Sequence, residues 1–155
     1  MAIEVQGLLH AINQQFVDGF VQQACFTFDT AGSDSAAVSN KTIAAHPTGV
    51  ILPAHAIIIG GFFDVNTKFT SADTNTGEIA IHVQAANDIQ TAAAVSGAPY
   101  STIGRKAIVP KASTPESTSV KTSAAKEITV TVTVAALTAG KLTGYLWWVP
   151  GIASA

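Results

Sequence analysis

The sequence predicts an all-β domain, an antiparallel sandwich or barrel, and three observations support this prediction. Two segments, 127–134 and 78–84, alternate between apolar and polar residues with a period of two. Segments rich in Ser, Thr, Asn, Asp, Gly and Pro separate the apolar runs, as turns and loops do. No repeat or linker divides the 155 residues. Roughly six to nine short strands joined by polar turns make a sandwich or barrel the expected architecture.

The clearest strand lies at 127–134. Its apolar residues share one face and its threonines share the other, and both kinds of residue are β-branched. A helix would spread them around its circumference. The residues expected to face inward are Ile128, Val130, Val132 and Val134.

The segment 78–84 shows the same alternation. We expect Ile79, Ile81 and Val83 to face inward. We expect Ala80, His82 and Gln84 to face outward, with His82 exposed.

Five further segments are expected to be strands: 21–29, 49–52, 56–69, 118–122 and 141–149. The pair Gly60-Gly61 predicts a bulge, a bend or the close approach of another backbone. The segment 138–140 (Thr-Ala-Gly) predicts a turn before the last strand.

The remaining segments are expected to be loops or short helices. Residues 71–77 predict an exposed hairpin loop, while 30–40 and 110–119 predict irregular surface segments. Residues 87–95 are compatible with one or two helical turns capped by Asn87 or Asp88. We expect residues 1–16 to form either an N-terminal arm or a short helix, and residues 17–155 to form a single β-domain.

The composition favours a protein that assembles with other subunits. Charged residues make up 12% of the chain, against roughly a quarter in typical soluble domains. A surface with so few charges favours association. The net charge of −2 and the scattered Lys and Arg residues argue against a nucleic-acid partner and against a membrane-binding polybasic patch.

The single cysteine, Cys25, lies in an apolar run and is expected to be a small buried residue. The N-terminal residues do not resemble a signal peptide, and the most apolar region is interrupted by Pro and Gly. We therefore expect the chain to fold in the cytoplasm.

No motif predicts catalysis, a metal site or a cofactor. The four histidines (His10, His46, His55 and His82) do not form the close pairs that zinc sites use. No Gly-x-Ser-x-Gly motif and no phosphate-binding loop is present. The sequence therefore predicts a protein that is not an enzyme.

Trp147 and Trp148 are the most informative pair. Neighbours on a strand point to opposite faces, so one of the two rings should lie in the core and the other outside. The outer ring either contacts another subunit or ligand, or is covered by a loop or the N-terminal segment. The candidate subunit-contact residues are Trp147, Trp148, Tyr145, Leu8, Leu9 and Ile12.

Residues 49–151 resemble the small β-sandwich proteins of tailed-phage virions, especially capsid decoration or cement proteins. The resemblance lies in the order of several segments. These are the segments 52–56 (LPAHA), 66–70 (NTKFT), 78–83 (EIAIHV), 85–94 (AANDIQTAAA), 128–134 (ITVTVTV), 137–142 (LTAGKL) and 149–151 (VPG).

The resemblance implies a jelly-roll-like sandwich on the surface of an icosahedral capsid. It implies a dimer or trimer that bridges subunits of the major capsid protein, and an N-terminal arm that reaches the shell or a sister subunit. Two different functions remain open: a tail or head-fibre component of the virion, and a carbohydrate-binding β-sandwich that stacks Trp147, Trp148 or Tyr145 on sugar rings.

Overall fold

The computed structural model describes residues 20–32, 40–111 and 119–152. These residues form nine β-strands and one short helical turn. They are β1 (Gln22–Asp29), β2 (Ala45–Leu52), β3 (Ala56–Ser71), α1 (Ala72–Asn75), β4 (Glu78–His82), β5 (Gln90–Ala94), β6 (Gly104–Ile108), β7 (Val120–Lys121), β8 (Lys126–Thr133) and β9 (Leu137–Pro150). The described residues contain no helix that is long and apolar enough to cross a membrane.

The strands form two antiparallel sheets, which confirms the predicted all-β sandwich. The first sheet has the order β1-β9-β3-β6, with β7 also paired to β3, and the second has the order β2-β8-β4-β5. Several connections, such as those from β1 to β2 and from β3 to β4, pass from one sheet to the other. The chain therefore crosses between the two layers of the sandwich more than once.

The core lies between the two sheets and is built from alternate residues of their strands. Phenylalanines and leucines of the first sheet face isoleucines and valines of the second. The buried side chains include Phe26, Phe28, Phe63, Phe69, Leu142, Leu146, Ile79, Ile81, Ile128, Val130 and Val132. Burial of this apolar surface is the main force that holds the sheets together.

The predicted alternation in β8 is confirmed at three of its four apolar positions. Ile128, Val130 and Val132 are fully buried, but Val134 is 60% exposed. The strand ends at Thr133, and Val134 adopts a left-handed backbone with φ of 68°. The backbone N–H of Ala135 donates to the Thr133 carbonyl at 2.8 Å, so the chain turns at Val134 and its side chain leaves the inner face.

In β4, Ile79 and Ile81 face the core as predicted, and Val83, just beyond the strand end, is buried too. Ala80 alternates with these core-facing residues and so points outward as predicted, although its small side chain, opposite Thr131 in the second sheet, is only 6% exposed. The predicted exposure of His82 needs correction. His82 is half-buried rather than exposed, with its Nδ1 3.4 Å from the Thr131 hydroxyl.

The Gly60-Gly61 pair is both a bulge and a close approach, as predicted. The pairing of β3 with β9 shifts register between Ile58 and Gly60. A Cβ on Gly61 would collide with the Tyr145 carbonyl oxygen. Glycine is therefore required for β3 to pair closely with β9 at this point.

The predicted turn at 138–140 is wrong, because these residues lie inside β9. Gly140 has φ of 142°, which L-residues rarely adopt, and the Phe69 ring occupies the place of a Cβ there. The glycine thus makes room for a core ring within a continuous strand.

The segment 71–77 is not a hairpin loop, because β3 and β4 belong to different sheets. It contains α1, and its ends are tied together. The Gly77 N–H donates to the Ser71 hydroxyl at 2.8 Å, and the Ser71 N–H donates to Oδ1 of Asn75 at 2.8 Å.

The helical prediction for 87–95 is also wrong, because β5 occupies most of this segment. The Asp88 carboxylate caps no helix. It accepts the N–H groups of Val83, Gln84 and Ala85 at 2.8–2.9 Å and so closes the turn between β4 and β5.

The other strands match in position but not always in length. β1 nearly coincides with the prediction, whereas β2 begins four residues early and contains Pro47, which an edge strand tolerates. The predicted strand at 118–122 is reduced to the two residues of β7. The arm or helix predicted at 1–16 lies outside the described residues, as do parts of the segments 30–40 and 110–119.

Candidate subunit-contact surface

The outer face of the first sheet carries three aromatic side chains, Phe62, Tyr145 and Trp147, which we call the aromatic strip. They alternate along β3 and β9 with the fully buried Phe63 and Leu146. Because successive residues of a strand point to opposite faces, the strip lies on the side of the sheet away from the core.

The rings of the strip contact one another. Phe62 and Tyr145 are paired across β3 and β9, and their ring centroids lie 4.8 Å apart with 30° between the ring planes. Phe62 and Trp147 make an edge-on contact with centroids 5.8 Å apart. The spacings are those of favourable aromatic pairs, so the strip is a preformed apolar surface.

Gly60 provides the space for Trp147. A carbon of the indole ring lies 3.3 Å from the position that a Cβ of Gly60 would occupy. The ring is thus seated against bare backbone, yet Trp147 remains 37% exposed. A fixed, partly exposed indole is well suited to contact a partner.

Arg105 places one positive charge at the edge of the strip. Its guanidinium carbon lies 4.2 Å from the centroid of the Phe62 ring, within the range of a cation–π contact. Its Nε and Nη2 donate to the two carboxylate oxygens of Asp64, each at 3.1 Å. The hydrogen bonds and charge of Asp64 raise the pKa of Arg105 further.

Cys25 lies beside the strip and is exposed, which corrects the expectation that it is buried. Its neighbours Ala24 and Phe26 face the core, so the alternation of β1 turns Cys25 outward. Cys25 is paired with Tyr145 across β1 and β9. The charge interaction and the hydrogen bond with Cys25 raise the pKa of the Tyr145 phenol.

Trp147 and Trp148 lie on opposite faces, as predicted. Trp148 is partly buried and packs against the core, so Tyr145 and Trp147 are the candidate contact residues that share the outer face. Leu8, Leu9 and Ile12 lie outside the described residues. The role of all six residues in subunit contacts stays a prediction.

Phe62, Asp64 and Arg105 were not among the contact residues predicted from the sequence. The alternation of β3 contained the signal for Phe62, because a Phe-Phe pair on a strand must point one ring outward. Arg105 and Asp64 lie 41 residues apart in the chain and meet only through the pairing of β3 with β6.

Within the described ranges, no three His, Cys, Asp or Glu side chains are grouped so that they could hold a metal ion. His46 is buried, with its Nε2 2.9 Å from the Thr42 carbonyl oxygen, and its ring packs against Phe28. His55 and His82 lie in a turn and on β4, and His10 lies outside the described residues. The aromatic strip consists of three apolar rings with the Arg105–Asp64 ion pair at its edge.

The fold is similar to chains in three phage capsid structures. A chain in the acidic stable capsid structure of Helicobacter pylori bacteriophage KHP30 has a TM-score of 0.54 and 11% identity, over 83% of this chain and 86% of that one. A chain in the Cyanophage Pam1 capsid asymmetric unit has a TM-score of 0.56 and 16% identity, over 84% of both chains. A chain in the capsid of Ralstonia phage GP4 has a TM-score of 0.55 and 15% identity, over 88% of both chains.

These similarities show a shared fold that covers most of each chain. No protein-family model matches the sequence, and no curated protein matches it.

Proposed function

We propose that this protein is a non-enzymatic structural component of a phage virion. In this role it decorates or cements the capsid surface by bridging subunits of the major capsid protein. The observation that carries the proposal is the similarity of nearly the whole sandwich to chains in three phage capsids. A shared fold does not by itself establish a shared function, so the proposal also depends on the surface that this chain presents.

The aromatic strip supports this proposal as the surface that contacts the shell. Aromatic and Arg side chains are enriched at the centres of protein interfaces, and here Trp147, Phe62, Tyr145 and Arg105 lie together on one open sheet face. The low content of charged residues, 12% of the chain, fits a surface that is partly covered by other subunits.

Because icosahedral symmetry repeats each contact over the shell, a modest affinity at each contact would be enough for stable binding. A homo-oligomer presents its contact surface two or three times, and linked contacts bind more tightly than any one of them alone. In this role the protein is synthesised in the host cytoplasm and ends on the outside of the virion. Its partners are the major capsid protein and other copies of itself.

The proposal is tested by co-expressing the chain with the major capsid protein of the phage that encodes it. Shells are purified on a sucrose gradient, and their protein content is measured against shells made with Trp147→Ala. We expect the native chain to co-migrate with the shells in a fixed ratio and the variant to be depleted. Shells that carry none of the native chain would overturn the proposal.

Carbohydrate binding is a second candidate function, and the geometry of the strip is the observation that favours it. Three aromatic rings on one open sheet face, edged by Arg105 and Asp64, could stack on sugar rings and bond to their hydroxyls. Trp148 takes no part, because it packs against the core. A glycan array compares the native chain with Trp147→Ala. Binding that the variant loses supports this candidate, and an array without hits removes it.

A further inference from the structure

We propose that the free edge of β1 pairs antiparallel with β1 of a second copy, around a two-fold axis that passes beside Cys25. The inference names the surface through which the homo-oligomer of the proposed function forms, and to that extent it rests on that function. Among the described residues β1 pairs only with β9, so its other side is an edge of the first sheet.

The edges of the two sheets differ in how well they are protected. Proteins normally protect edge strands with charges, Pro, bulges or short length. β6 has five residues and carries Arg105 and Lys106, and β7 has two residues. β2 contains Pro47 and a register shift, and β5 has five residues and pairs with β4 through a register shift.

β1 has only one of these protections, the charge of Asp29 at its last position. It is eight residues long, it contains no Pro, Lys or Arg, and its register with β9 is regular from Gln22 to Asp29. An edge that is long and regular is a template for another strand.

The hydrogen bonds show which backbone groups face this edge. The Thr30 N–H donates to the Gly140 carbonyl at 3.0 Å, and this pair continues the register of β1 with β9. Since hydrogen-bonded pairs recur at every second residue, the even-numbered residues of β1 are the ones whose backbone groups bond to β9. In an antiparallel pair the bonded positions alternate, so Gln23, Cys25 and Thr27 direct their N–H and C=O groups away from β9.

One side chain limits how much of the β1 edge is available to pair with a second copy. Nδ2 of Asn40 donates to the Asp29 carbonyl at 3.1 Å and so occupies the next outward-facing acceptor. The stretch that remains available within β1 runs from Gln23 to Thr27, and its midpoint is Cys25. Antiparallel pairing about this midpoint places Cys25 opposite Cys25 of the second copy, and Gln23 opposite Thr27.

The side chains of the stretch suit a second copy of the same strand. Gln23, Cys25 and Thr27 are exposed and uncharged, so two copies meet without repulsion between like charges. Each copy offers the same alternating donors and acceptors, and a two-fold axis makes such an edge complementary to itself.

The pairing of two β1 strands places both aromatic strips on the same side of the dimer. A two-fold axis perpendicular to the sheet keeps both outer faces on the same side. The dimer therefore presents two strips to one partner surface, which is the arrangement that a protein bridging neighbouring subunits needs.

The test measures the dimer in solution by sedimentation equilibrium for three proteins: the native chain, Thr27→Val and Thr27→Pro. Valine keeps the outward N–H, whereas proline removes it without removing a bond to β9. We expect the dimers of the native chain and of Thr27→Val to have the same dissociation constant. The dissociation constant of Thr27→Pro should rise by at least about tenfold, because two edge hydrogen bonds are lost per dimer.

Cys25, the sole cysteine, gives a second measurement that does not depend on the proline variant. The proposed register puts the two Cys25 Cα atoms about 5.5 Å apart. A short bis-maleimide should therefore link dilute native chains into covalent dimers. A native chain that is monomeric at all concentrations, or a dimer that is not linked at Cys25, overturns the proposal. So does a Thr27→Pro variant that keeps its near-ultraviolet circular dichroism and dimerises normally.

The two proposals can fail separately. A Cys25-linked dimer that does not bind shells contradicts the capsid role and leaves the pairing of β1 intact. A monomer that binds shells contradicts only the pairing.

Discussion

Arg105 lies over the ring of Phe62, with its guanidinium carbon 4.2 Å from the ring centroid, and Asp64 holds the same guanidinium through two hydrogen bonds. The arrangement fixes the position of the positive charge at the edge of the aromatic strip. A fixed charge loses little conformational freedom when a partner binds, so it contributes more to affinity than a mobile one.

We expect Arg105→Lys to weaken shell binding although it preserves the charge. Lysine cannot make the two-point contact with Asp64 and stacks less well on Phe62. The affinity should fall by about two- to fivefold, which is the effect expected for an exposed cation–π contact. Co-sedimentation with shells measures the effect. Lys106→Ala is the matched control on the same strand, because Lys106 bonds to the Thr102 hydroxyl and not to the strip.

The two tryptophans should respond differently to truncation. Trp147→Ala should reduce shell binding at least about tenfold and change the free energy of unfolding little, because its ring lies on the outer face. Trp148→Ala should lower the free energy of unfolding by about 2–4 kcal/mol, because its ring packs against the core. Urea unfolding and co-sedimentation separate the two effects, and equal loss of stability in both variants would contradict the assignment of faces.

Gly144→Ala should destabilise the fold by about 1–3 kcal/mol. The Phe26 ring already occupies the place of a Cβ on Gly144, so a methyl group there displaces a core ring. Gly97→Ala is the control, since its nearest neighbour for a new Cβ is the Ala94 carbonyl at 3.9 Å. Thermal unfolding of both variants gives the comparison, and a neutral Gly144→Ala would show that β1 and β9 can shift apart.

Tyr100→Phe should raise the free energy of unfolding by about 1 kcal/mol. The Tyr100 ring is buried against Phe63 and Phe69, and within the described residues its hydroxyl has no hydrogen-bond partner. Burial also raises the pKa of the Tyr100 phenol, so its ionisation opposes folding as the pH rises above 10. The variant should therefore lose less stability than the native chain in urea titrations at alkaline pH. A less stable Tyr100→Phe would mean that the hydroxyl is bonded after all.

Asp29→Asn should lower stability at neutral pH and make little difference at pH 2. The N–H of Ala31, at 2.8 Å, and then Lys141 favour the ionised carboxyl and lower the pKa of Asp29 below its ordinary value. A lowered pKa stabilises the fold above the pKa of the unfolded chain, and this stability is lost as the pH falls through the folded pKa. Because the pair is partly exposed, the effect should not exceed about 1 kcal/mol. Urea unfolding at pH 7 and pH 2 tests it.

The fold class and most strands could be predicted from the sequence because local alternation determines which face of a strand is buried. This held for Ile128, Val130 and Val132, whose threonine neighbours made the pattern clear. It failed where tertiary packing overrides local preference. Gly140 looked like a turn residue because its contact with the Phe69 ring depends on pairing between distant strands.

The candidate site could be predicted only in part. Trp147 was found because it and Trp148 are neighbours on a strand, so both rings cannot enter the same core. Tyr145 lies two residues before Trp147 and therefore shares its face. Cys25 was wrongly placed in the core, because its apolar neighbours suggested burial while the alternation of β1 turned it outward. The ion pair between Arg105 and Asp64 depends on the register of β3 with β6, which no local pattern records.

A cryo-electron microscopy reconstruction of shells assembled with the protein tests most directly the claim that the outer face of the first sheet contacts a phage shell. We predict density for the sandwich on the outside of the shell, with Phe62, Tyr145 and Trp147 facing the major capsid protein. A shell that carries no such density, or a sandwich bound through its second sheet, would contradict the claim.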